Sequence, residues 1–134
     1  MVAAVVATMV EAPTKIIMRT VAYDLAVPYG SLMQLGDNNT VTISDGDTNP
    51  FGGICTFEKL ASDEDILKIP CAMDGVWEIS TDSGVITSGG LVSIDDVNQI
   101  HASNGTVDQV AGSNVGQAES TKDSAERINV RLRG

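Results

Sequence analysis

Aromatic side chains are scarce in this 134-residue chain: two Phe, two Tyr and one Trp, 4% of the total. A core must therefore be built from Val, Ile, Leu, Ala and Met, within a hydrophobic content of 43% that is ordinary for a globular chain. Histidine occurs once, as His101 in the segment NQIHAS. No GxSxG nucleophile motif accompanies it, so a surface or rim position is expected for it rather than catalysis. The only cysteines are Cys55 and Cys71. No CxxC spacing and no Cys/His cluster surrounds them, which argues strongly against a structural zinc site. They lie in apolar contexts, GGICTFE and KIPCAM, away from the basic neighbours that create a reactive thiolate. Two buried thiols are the expectation, with a disulfide as the alternative. A phosphate-binding GxxxxGK[ST] loop is also missing.

Positive charge is short as well. Eight Lys and Arg face eighteen Asp and Glu, giving a net charge of −10 and a pI near 4.2. Nucleic acid and anionic membranes are disfavoured as partners, because both are recognised through clustered cations. The longest apolar run, MVAAVVATMV, is broken by Glu11 and Lys15, far short of the roughly 20 residues of a membrane span. It lacks the basic flank of a signal peptide and is read as part of the mature protein.

What is present is glycine, thirteen residues of it, spaced between short β-branched segments. These are KIIMRTV (15–21), NTVTIS (39–44), GGICTFE (52–58), DILKIPCAM (65–73), GVWEIS (75–80), GLVSID (90–95), NQIHAS (98–103), NVGQAE (114–119) and INVRLR (128–133). Several alternate apolar and polar residues, as in Ile128, Val130 and Leu132 against Asn129, Arg131 and Arg133, which is the period of a half-buried strand. Asn104-Gly105 is a hairpin signal. Ser83-Gly84, Gly89-Gly90, Asp37-Asn38-Asn39 and the stretch 45–50 carry turn chemistry. Frequent turn signals of this kind predict a sandwich or barrel. Helix is confined to one turn near Ser62–Asp65, capped by Ser62, and another over 120–126. The expected fold is all-β: a small β-barrel or β-tulip-like domain over 15–134, with an N-terminal apolar arm over 1–14 and at most one or two short helical turns.

The arm is ambiguous. Val2, Val5, Val6, Met9 and Val10 fall at helical spacing, yet Val is a modest helix former and the run is short. A local helix and an extended arm both fit, as do packing on its own domain and docking on a neighbouring subunit. At the other end, Arg127, Arg131 and Arg133 form either a solvated strand face or an electrostatic contact to an acidic neighbour. These two sets are the candidate contact residues.

Other candidate chemistry is weaker. Asp45-Gly46-Asp47-Thr48-Asn49 resembles the start of a calcium loop, but Pro50 and Thr56 occupy positions where an EF-hand needs Gly and Glu; a polar loop is expected. Asp63, Glu64 and Asp65 are consecutive, unlike the two carboxylates that face each other across a glycosidase cleft, and are expected to be solvated charge. Trp77 and Tyr29 could stack on a sugar, although Trp77 lies between Val76 and Glu78 and its face is left open. No catalytic residue, metal or cofactor is expected.

The order of segments carries more. An opening pair, KIIMRTV and GSLMQL, leads through a polar loop to Asn49-Pro50-Phe51-Gly52-Gly53-Ile54. An acidic turn, Ala61-Ser62-Asp63-Glu64-Asp65, precedes a strand that ends in Gly75-Val76-Trp77-Glu78. Then follow Gly90-Leu91-Val92-Ser93-Ile94-Asp95, Val115-Gly116-Gln117-Ala118 and the closing Val130-Arg131-Leu132. From about residue 15 to the end, this succession resembles the capsid cement (head decoration) proteins of tailed phages and viruses. Residues 1–14 depart from it, since many members begin closer to the first strand. The resemblance implies a compact β-body without catalytic residues that binds the outside of an assembled capsid, often at three-fold or quasi-three-fold positions. The implied partner is the major capsid protein, with further cement subunits or a trimer of the chain itself. The implied location is the virion, after assembly in the host cytoplasm. A carbohydrate- or small-ligand-binding module and a tail or baseplate module are the alternatives.

Overall fold

The computed structural model describes residues 5–46, 49–103 and 112–132. These residues fold into strands β1 (Thr8–Glu11), β2 (Ile16–Thr20), β3 (Leu32–Leu35), β4 (Val41–Ile43), β5 (Phe51–Cys55), β6 (Lys68–Ala72), β7 (Val76–Thr81), β8 (Leu91–Asp96), β9 (Gln99–Ala102), β10 (Asn114–Ala118) and β11 (Arg127–Leu132). Each β-branched segment named above overlaps one of them. The Asn104-Gly105 hairpin signal lies outside the described residues.

One sheet runs β1-β7-β11-β10-β8-β9. It closes on itself, because β9 pairs in parallel with β7 through Ser80↔Gln99 and Thr81↔Ile100. The result is a five-stranded barrel with β1 added outside it. Strand β7 lends one edge to β11 and divides the other: Val76–Glu78 take β1, and Ser80–Thr81 take β9. Closure removes the unpaired strand edges that would otherwise invite aggregation. At Gly116 the backbones of β10 and β11 come so close that a Cβ would stand 2.1 Å from the Arg131 carbonyl oxygen.

The second sheet runs β2-β6-β5-β3-β4 and is buried on both faces at its centre, with exposed residues on its edge strands. Leu32, Ile54 and Ala72 join the barrel residues Trp77, Ile79, Val92, Ile94, Ile100, Ile128 and Val130 in one core. Their neighbours in sequence, Met33, Cys55 and Cys71, turn the other way into a second core with Val21, Val27, Val41 and Ile69. The period-two alternation of a strand supplies both. All five residues of β5 are buried.

A hairpin tip joins the two sheets. In the turn between β8 and β9, Asn98 adopts a left-handed φ of 51°, which Asn tolerates better than most residues. Its Oδ1 accepts a 2.8 Å hydrogen bond from the Leu32 N–H, and its own N–H donates to Ser44 Oγ at 3.0 Å. The Ser44 hydroxyl in turn donates to the Asp96 carbonyl at 3.0 Å.

The helical expectations need correction. Ser62–Asp65 forms turns because Asp63, rather than Ser62, organises it: Asp63 Oδ2 accepts from the Leu60 N–H at 2.9 Å, and the Asp63 N–H donates to the Leu60 carbonyl at 3.0 Å. Residues 120–126 are held extended at Lys122, which bridges to Ile86. Among the described residues the single helical turn is a 3-10 turn at Asp37–Asn39, where Asn38 and Asn39 have φ of 55° and 61°. The arm is strand rather than helix over Thr8–Glu11, consistent with the β-preference of its valine-rich composition.

Asn98→Gly keeps the positive φ but removes the acceptor for the Leu32 N–H. We expect it to lower stability in urea unfolding by about 1–3 kcal/mol, the cost of a buried donor left unsatisfied.

Candidate functional site

The structure brings the two candidate contact sets together. Ala7 is buried at 4% exposure and donates its N–H to the Gly30 carbonyl at 2.8 Å. Gly30 has φ of +88°, and a Cβ there would lie 2.2 Å from the Ala7 oxygen, so only glycine allows this approach. Met9 packs on the barrel core, Val6 is half-buried, and Val5 and Val10 are exposed. Val2 and Arg133 lie outside the described residues.

Arg127 clasps the arm. Its Nη2 donates to the Val6 carbonyl at 3.0 Å, to Thr8 Oγ1 at 3.0 Å and to the Glu78 carbonyl at 3.1 Å. Its Nη1 reaches the Val5 carbonyl at 3.3 Å and Ser80 Oγ at 3.1 Å, and its Nε pairs with Glu78 Oε1 at 2.9 Å. Only the forked, planar guanidinium can serve so many acceptors at once. Arg131 pairs with Glu11 at 3.2 Å and Glu119 at 3.3 Å, and these carboxylates, Glu11 first, hold its proton more tightly than usual. The acidic groups that meet Arg127 and Arg131 thus belong to the same chain.

Asp74 secures the passage from β1 to β2. Its Oδ1 accepts from the N–H groups of Thr14 at 2.8 Å and Lys15 at 2.9 Å, and its Oδ2 from the Thr14 hydroxyl. The Thr14 hydroxyl bond, then the Lys15 N–H, draw its carboxyl below the ordinary range.

The remaining candidates serve the fold. Trp77 is fully buried and donates Nε1–H to the Asp74 carbonyl at 3.2 Å; it offers no stacking face. Tyr29 leans on it at 6.5 Å between ring centroids. His101 is half-buried on β9, opposite Ser93. Ser93 is fully buried and donates its hydroxyl to Asn114 Oδ1 at 2.7 Å, so it is no accessible nucleophile. In the calcium-like loop the Asn49 amide nitrogen donates to the Gly46 carbonyl at 3.1 Å, while Asp47 and Thr48 lie outside the described residues. No three potential metal-ligating side chains converge among the described residues. No helix among them is long and apolar enough to cross a membrane.

Cys55 and Cys71 face each other across β5 and β6 as free, buried thiols. Burial, with Cys55 nearby as a lesser cause, pushes the Cys71 thiol up to about 12; burial raises Cys55 as well.

Sequence reasoning missed two buried lysines. Lys59, at 1% exposure, extends its ammonium to the carbonyls of Tyr23 and Leu25 at 2.8 Å each and Leu60 at 3.4 Å. Lys122 reaches the Asp82 carbonyl at 2.5 Å and carboxylate at 3.2 Å. Nothing in the local patterns around FEKLA or STKDS marks a buried ammonium; the carbonyls that receive each lysine come largely from distant segments.

The chain matches no protein-family model and no curated protein.

Two predictions follow from these contacts. Arg127→Ala should unfasten the arm: limited proteolysis cuts within residues 5–11 at a markedly higher rate, and unfolding stability falls by about 1.5–3 kcal/mol, the range for charged hydrogen bonds. The thiols should resist iodoacetamide in the native protein at about pH 8 and react fully in denaturant. The unfolded Cys71 thiol ionises near its ordinary 9.0 while the folded one holds its proton to about 12, so this group's contribution makes stability decline as pH rises through that interval.

Proposed function

We propose that this chain is a non-enzymatic capsid cement protein of the tailed-phage type. In this reading it binds the outer surface of the assembled shell in the virion and bridges neighbouring major capsid subunits. The observation that carries the reading is the order of segments. Apart from the acidic turn Ala61–Asp65, which lies between β5 and β6, each motif of the resemblance falls on a strand of the folded body: KIIMRTV on β2, GSLMQL on β3, Phe51–Ile54 on β5, Val76–Glu78 on β7, Leu91–Asp95 on β8, Val115–Ala118 on β10 and Val130–Leu132 on β11. The polar groups described above support it too. Arg127, Asp74, Asn98 and Lys59 are engaged in holding the fold.

The physics of the role needs no active site. A protein that binds the assembled lattice but not its free subunits stabilises the lattice by mass action. Engagement of several subunits at once adds avidity. A rigid, closed β-body binds with little ordering cost.

Shells of the encoding virus prepared without this protein should rupture at lower temperature and under milder osmotic shock than decorated shells, and adding purified protein back should restore resistance. Equal survival of bare and decorated shells would remove the stabilising role.

A further inference from the structure

Every exposed aromatic residue lies in one of two neighbouring loops. Phe51 and Trp77 are buried; Tyr23, Tyr29 and Phe57 are exposed, and all three lie in the loops 21–29 and 57–67. Leu60 and Leu67 join them, and Tyr23, Leu60 and Leu67 each leave more than half their surface in solvent, at 55%, 54% and 55%. The loops form one cluster. Lys59 gathers the carbonyls of Tyr23, Leu25 and Leu60 around its ammonium, Val27 and Lys59 bridge in both directions at 2.8 and 2.9 Å, and the Leu67 carbonyl accepts the Val21 N–H at 3.0 Å. The apolar groups are therefore presented on a braced surface rather than on free loops, which lowers the entropy cost of docking. Aromatic side chains in such a setting are the residue type enriched at interface centres.

Charge selects the partner. These two loops carry Asp24, Glu58, Asp63, Glu64 and Asp65 against Lys59 as their one cation, and Lys59 is turned inward. Beyond the loops, exposed Lys68 stands beside Leu67 and offsets one of the five acids, while Arg19, Lys122, Arg127 and Arg131 are bonded to other parts of the chain, so the rim stays net negative. A second copy of the chain, a nucleic acid or an anionic lipid surface would each bring like charge against it.

We infer that this loop cluster is the face through which the protein meets the shell, and that it fits a protein surface with an apolar pocket rimmed by Lys and Arg. The inference rests on the capsid reading above and adds the contact surface to it. Tyr23, Leu60 and Leu67 enter the pocket. Asp24, Glu58, Glu64 and Asp65 steer and orient the encounter.

The test uses undecorated shells of the encoding virus and co-sedimentation of the full chain. Wild type binds. L60S/L67S weakens binding about tenfold or more, a change typical of truncated interface anchors, with an unchanged unfolding midpoint. E64K/D65K slows association and flattens its dependence on salt. V85S, an equally exposed apolar site elsewhere, binds as wild type. Wild-type affinity in L60S/L67S, or equal loss in V85S, overturns the assignment while leaving the cement role standing. Failure of the wild type to bind overturns both. Self-association of the free protein that L60S/L67S abolishes would give this face to a second copy and likewise overturn it.

Discussion

Strand β5 has no wet face, and the rest of the architecture follows from keeping it dry. Phe51 and Ile54 look toward the closed barrel, while Cys55 looks into the second core. The first core needs a cover, and the barrel supplies it. The second core needs a lid, and the loops around Val27 and Lys59 supply that. With only five aromatics in the chain, the first core takes Trp77 and Phe51 and the second has none. Medium-sized aliphatic and sulfur side chains fill the rest of both cores, which share one central sheet.

Polar groups are placed where this arrangement would otherwise leave backbone atoms unpaired. Asn98 satisfies Leu32 at the junction of the sheets, Lys59 satisfies the carbonyls of the lid, Lys122 the end of β7, and Arg127 the incoming arm. Burying an ammonium or guanidinium is costly unless its hydrogen bonds are met. Lys59 is met wholly by backbone oxygen, so removing it would strand three carbonyls together, while Lys122 and Arg127 divide their bonds between backbone and side-chain oxygens. Arg127, a candidate surface contact from the sequence, has its hydrogen-bonding capacity committed to the fold in the same way.

Much of the fold was legible in the sequence because alternation is a local signal. INVRLR, GVWEIS and GLVSID each place apolar residues at period two, and each became a strand. The arm was harder: Val5, Val6, Met9 and Val10 satisfy helical spacing, and the edge of β7 that captures Thr8–Glu11 is written some seventy residues away. Ser62 looked like a cap, but Asp63 had the better reach to Leu60. Asn98 as a turn was hidden in DDVNQ, where no glycine follows the asparagine. The candidate contact residues were the least legible part. Arg127 and Arg131 appeared as free charge because their partners, Glu78 and Glu11, are adjacent only after β1, β7 and β11 assemble. Tyr23, Leu60 and Leu67 carry no pattern that separates them from core residues; only burial distinguishes them.

Strands β1 and β11 both run antiparallel to β7, one on each side, so they run parallel to each other. The chain comes into β1 beside Ser80 and leaves β11 beside Gly75, at opposite ends of the same three-strand ribbon. Mechanical tension drawn between those two points is directed along the strands. It loads the hydrogen bonds on both sides of β7 in shear, all together, instead of peeling them apart in succession. The Arg127 clasp and the Arg131–Glu11 pair cross the same seam. The body is thus wired to resist traction along its own strand axis, a property set by strand direction alone and independent of any ligand it meets.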